Sequence, residues 1–83
     1  MVTDPTDDLR RCFLGYAQAT GLKVTTVGRL AAKDGRFFTR LNDPELSFTL
    51  KRYNRLLEWF SANWPEETNW PEGVRRPASE VVQ

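Results

Sequence analysis

Histidine is absent from this chain and cysteine occurs once. The first absence removes the commonest general base and metal ligand; the second excludes an internal disulfide, because Cys12 has no second cysteine to join. Neither Ser47, Ser61 nor Cys12 then has an imidazole to activate it as a nucleophile. Adjacent carboxylates occur at Asp7 and Asp8 and at Glu66 and Glu67, but sequence neighbours on a helix point different ways. The first pair also stands where acids belong at a helix start. The five glycines are scattered singly, so no phosphate-cradling loop is present. Catalysis, a metal, a cofactor and a small-molecule substrate are therefore not expected. No run of about 18 apolar residues is available to span a membrane, and the acidic start lacks the basic and apolar regions of a signal peptide. A cytoplasmic protein with no membrane partner is expected.

What is present is helical periodicity. An 83-residue chain makes one domain and buries about 60 per cent of its unfolded surface. Asp4-Pro5-Thr6-Asp7 is a helix start, with an N-cap, a proline at the first position and acids against the positive end of the dipole. The helix should reach Thr20 with Leu9, Cys12, Phe13, Tyr16 and Ala17 on one face, and Gly21 should end it in a left-handed turn. Cys12 is then a small buried hydrophobe. A last helix, from about Ser47–Thr49 to Asn63, carries Leu50, Tyr53, Leu57, Phe60 and Trp64 on one stripe. Beyond it, Asn63-Trp64-Pro65-Glu66 is repeated as Asn69-Trp70-Pro71-Glu72. Proline after each tryptophan stops helix propagation and favours turns, so two indoles should fold back over the core. The expected fold is all-α: four to five helices in a domain of residues 1–76, with a frayed tail at 77–83.

Between these helices lies KVTTVGRLAAKDGRFFTRLN, residues 23–42. If one helix runs from about Val24 to Ala32 and a second from Gly35 to Asn42, then Val27, Ala31, Phe38 and Leu41 face inward, the pattern of a helix-turn-helix. Arg36 and Arg40 then lie one turn apart on the outer face beside Thr39, with Asp34 as N-cap. Charge follows the same boundary. The whole chain carries 12 Lys+Arg against 11 Asp+Glu, but residues 23–55 hold eight cations against three acids. That concentration is the electrostatic footprint a phosphate backbone requires. Lys33, Lys51, Arg52 and Arg55 are therefore expected at phosphates, and Arg36 and Arg40 at guanine edges.

The stretch from about Leu22 to Leu57 resembles the small lambda-repressor-like, or XRE, helix-turn-helix regulators of prophages and integrative elements. Val27-Gly28 stands at the Leu-Ala pair of the first motif helix, and Phe38 and Leu41 at the inward positions of the recognition helix. The resemblance implies sequence-specific binding of double-stranded DNA, usually as a homodimer. It implies base-facing positions at Gly35, Arg36, Phe37 and Arg40, and phosphate contacts around Val24, Thr25 and Asn42. Thr39 joins the phosphate set from its place beside the arginines. Gly28 in place of alanine should weaken its helix by about 1 kcal/mol.

Two rivals remain at this point. An excisionase-like architectural factor would use a similar helix to bend DNA. A protein-interaction module, for example an antiactivator, would instead use the surplus aromatics. Leu56 and Trp59 exceed what one helix stripe needs, and with Trp64 and Trp70 they are the expected dimer interface.

Overall fold

Asp4 caps the first helix by accepting the Thr6 N–H at 3.2 Å. From there α1 runs Pro5–Thr20 and stops where Gly21 adopts φ 76°. The computed structural model describes residues 4–43 and 45–77. In it α2 covers Val24–Ala31, α3 Phe37–Arg40 and α4 Leu50–Asn63. The fold is all-α, with no strand among the described residues. No described helix is long and apolar enough to cross a membrane. The frayed tail expected at 77–83 lies, beyond Pro77, outside the described residues.

Three helices converge on one side chain. Phe13 of α1 stacks on Phe37 at 5.7 Å and meets the edge of Phe60 at 5.1 Å. Leu9, Cys12, Val27, Leu41, Leu56 and Leu57 close around them. Each such side chain contributes about 1.5–3 kcal/mol when fully buried. A polar pair sits in the same interior: the Tyr53 hydroxyl donates to Asp8 Oδ2 at 2.8 Å, joining α1 to α4. Burial, and next the hydrogen bond to Asp8, push the Tyr53 phenol up to about 12. Burial, and next the Asp8 charge, push the Cys12 thiol up to about 12.

The third helix is shorter than its sequence predicts. Helix was expected from Gly35 to Asn42, but α3 is the single turn Phe37–Arg40. Asp34 is the reason at one end. Its Oδ1 accepts the Arg36 N–H at 3.0 Å and its carbonyl accepts the Phe37 N–H at 3.1 Å, so residues 34–36 close as a turn. At the other end Asn42 and Asp43 donate to Thr39 and Arg40, a three-residue spacing that tightens the chain out of the α form.

The Trp-Pro segment is ordered by its own repeat. Trp64 Nε1 donates to the Thr68 carbonyl at 3.0 Å, and Trp70 Nε1 to the Val74 carbonyl at 2.9 Å. Thr68 and Val74 in turn donate their N–H groups to Pro65 and Pro71. The same loop is thus built twice, and the two indoles meet edge-on at 4.9 Å. Gly15 on α1 leaves room for Trp64, since a Cβ there would lie 3.1 Å from the indole.

Candidate nucleic-acid interface

The turn between α2 and α3 is seated on Gly28. A Cβ at that position would lie 2.6 Å from the Asp34 carbonyl oxygen, closer than any side chain tolerates. The Asp34 N–H meanwhile donates to the Gly28 carbonyl at 3.1 Å. The glycine therefore sets how tightly the turn wraps onto α2, which outweighs the weaker helix it causes. The wrap forces Lys33 to φ 57°, the left-handed region that costs a side-chain-bearing residue about 1–2 kcal/mol.

Asp34 organises the entry into α3. Besides the Arg36 N–H, its carboxylate takes the Arg40 guanidinium at 2.7 Å through Oδ2. The Arg36 N–H, together with Arg40 and Arg52, holds the Asp34 carboxyl below the usual carboxylate range. Arg40 is thus exposed but tethered, whereas the Arg36 side chain is exposed and makes no hydrogen bond among the described residues.

Past α3, Leu46, Ser47, Phe48 and Thr49 lead without regular structure into α4. Thr49 caps that helix by accepting the Arg52 N–H at 3.1 Å. This brings Lys51, Arg52 and Arg55 opposite Lys33 and Arg40 across an open groove of about 960 Å³. Phe37, Leu46, Phe48 and Leu56 supply its apolar lining. Arg52 also donates to the Ala32 carbonyl at 3.2 Å and lies over the Phe37 ring at 5.2 Å. Among the described residues, five cations and the single acid Asp34 line the groove.

The structure thus gathers Lys33, Arg40, Lys51, Arg52 and Arg55. It leaves Val24, Thr25, Arg36, Thr39 and Asn42 outside the groove. Thr25, Arg36, Thr39 and Asn42 are exposed, Val24 and Gly35 half-buried. Asn42 accepts from Arg10 at 3.3 Å, tying the end of the motif back to α1.

Two expectations are corrected. Phe37, expected to face base edges, is only 3 % exposed; it packs between Phe13 and Phe48 because the short α3 turns it inward beside Phe38. Leu56 and Trp64, expected at a dimer interface, are 2 % and 7 % exposed and belong to the protein's own core. Trp59 and Trp70 are half-buried, Trp59 against Tyr16 and Trp70 between Trp64 and Arg76. The surplus aromatics fill the space between α1, α4 and the double Trp-Pro loop. Leu46 and Phe48 were not singled out from the sequence. Their signal was slight: two apolar residues, spaced by one, just before the Thr49 cap.

Comparison with protein-family models, curated proteins and solved structures finds no match for this chain.

Proposed function

We propose that this protein binds double-stranded DNA as a helix-turn-helix regulator of the lambda-repressor-like type. The observation that carries the reading is the meeting of Lys33, Lys51, Arg52 and Arg55 around one groove between the α2–α3 unit and α4, with Asp34 as the only acid among the described lining residues. Clustered guanidinium and ammonium groups neutralise phosphates and release counterions, which is the sequence-independent part of DNA affinity. The free Arg36, on the exposed turn entering α3, is the side chain best placed to add base contacts. Arg40 reaches a base only by leaving Asp34. Pairing of two copies on an inverted repeat would use apolar surface other than Leu56 and Trp64; Leu14 and Leu30 are each half exposed.

The test is fluorescence anisotropy or gel shift on duplexes from around the protein's own gene, repeated over a range of salt. The logarithm of the binding constant should fall linearly with the logarithm of salt, by about 0.9 for each phosphate neutralised. Arg36→Ala should lower specific affinity by about 1–3 kcal/mol without unfolding the protein. A duplex affinity indifferent to salt, or no duplex binding at all, refutes the reading.

A further inference from the structure

The groove has a feature that phosphate contact does not require. Its cations stand around an apolar and aromatic surface, whereas a duplex keeps the faces of its bases stacked inside and offers no ring to lie against such a surface. Among the lining residues Phe37 is buried and already covered by Arg52 at 5.2 Å. Phe48 is different: it is half-buried, and its one aromatic neighbour among the described residues is Phe37, at 6.4 Å. Asp34 and Arg40 neutralise each other at 2.7 Å. Lys33, Lys51, Arg52 and Arg55 then remain as four positive charges distributed over both walls, more than one small anion needs.

We infer that this groove takes an unpaired strand of nucleic acid, with successive phosphates along Lys51, Arg52, Arg55 and Lys33 and one base laid against Phe48. The inference rests on the nucleic-acid reading above and deepens it. Stacking of a base on an aromatic ring beside a cationic track is the general means of holding single strands without regard to sequence. Arg36 does not line the groove, so duplex and strand share the groove's cations, while Arg36 serves the duplex alone and Phe48 the strand alone. A DNA-bending or strand-opening event at a bound site would bring both into play.

The experiment compares a labelled oligothymidylate of about 12 nucleotides with a duplex of the same length, by anisotropy at several salt concentrations. The strand should bind with a salt slope of about 0.7 per phosphate neutralised. Phe48→Leu, which keeps an apolar side chain but removes the ring, should weaken the strand about tenfold and leave the duplex within about twofold. Arg55→Ala, at an exposed position whose side chain makes no hydrogen bond among the described residues, should weaken the strand and flatten its slope by about 0.7, and should weaken the duplex as well. Arg36→Ala should weaken only the duplex. Circular dichroism and a thermal scan establish that each variant folds. Strand affinity unchanged in both Phe48→Leu and Arg55→Ala, equal losses on strand and duplex in Phe48→Leu, or competition by polyglutamate as effective as by the strand, would overturn the inference. Duplex binding without strand binding overturns this inference alone, whereas failure of both removes the DNA reading with it.

Discussion

After Asn63 each indole N–H meets a carbonyl four residues on, and the Arg76 guanidinium lies 4.9 Å from the Trp70 ring while bonding to Ser61. Around the α2–α3 turn the opposite holds: the side chains of Arg36, Lys51 and Arg55 make no hydrogen bond among the described residues, and Lys33 sits in a strained conformation. One region is organised to satisfy its own polar groups, the other to leave charge available. A segment whose donors are all engaged internally contributes stability, while a segment that keeps like charges near one another at some cost is where binding is expected. The contrast also argues against Trp64 and Trp70 as candidate recognition residues, although aromatics are common at interfaces.

Trp64→Ala tests the separation of the two regions most directly. This side chain touches Tyr16, Phe60 and Trp70 and closes the first Trp-Pro loop. Its loss should cost about 3–5 kcal/mol in urea unfolding, while DNA affinity of the protein that remains folded stays at the wild-type value. A stable Trp64→Ala variant, or one that loses DNA binding while folded, would mean that the two regions are not separate in role.

Alkaline stability is the next largest effect. The thiol of Cys12 and the phenol of Tyr53 keep their protons to about 12 in the folded protein, against ordinary values of 9.0 and 10.0. Below pH 9 both states are protonated at these groups and neither contributes a slope. Above it the unfolded chain binds fewer protons than the folded one, so stability falls as pH rises from about 9 towards 12, by up to about 1.4 kcal/mol per pH unit for each group. Cys12→Ala should remove the first part of that decline. Urea unfolding at several pH values checks this; a wild-type stability that is flat above pH 9 contradicts the buried positions of both groups.

Much of this architecture is legible in the residues alone. The α1 boundaries follow from Asp4, Pro5 and Gly21, each of which acts through local backbone chemistry. The α4 stripe follows from period alone. The α2–α3 unit is legible in position but not in detail, because its shape depends on contacts that no local pattern encodes. Asp34 takes the Arg36 N–H and the Arg40 side chain at once, which shortens α3 and turns Phe37 rather than Phe38 into the more deeply buried ring. The excess of aromatic residues pointed to a partner only while the double Trp-Pro loop had no known place. Once that loop packs on α1, Trp64 has an intramolecular neighbour on every side that matters.

Gly28 sets close packing against helix propensity within the α2–α3 unit. Gly28→Ala improves helix propensity by about 1 kcal/mol but places a methyl group 2.6 Å from the Asp34 carbonyl. Overpacking of this kind costs about 1–3 kcal/mol, so the net expectation is a variant of equal or lower stability whose α2–α3 turn is displaced. DNA affinity should fall more than stability does. A Gly28→Ala protein that is more stable and binds DNA normally would show that the close approach is not needed.

The smallest effect separates stability from binding at one residue. Lys33 carries both a left-handed backbone, φ 57°, and one of the groove's charges. Glycine accepts that conformation without penalty, so Lys33→Gly should gain about 1 kcal/mol in stability, somewhat less than the full left-handed cost because glycine also loosens the unfolded chain. The same substitution deletes a cation, so duplex or strand affinity should weaken and the salt slope should flatten by about one unit. Lys33→Asn offers an intermediate: asparagine tolerates the left-handed region better than lysine and still removes the charge. Unfolding curves and salt titrations on the three proteins should therefore run in opposite directions, with stability rising from lysine through asparagine to glycine. Asparagine and glycine should bind equally weakly. If binding instead tracked stability, Lys33 would be acting through the shape of the turn and not through its charge, and the division between a self-satisfied region and a charge-presenting one would fail at the residue where it is most exposed to test.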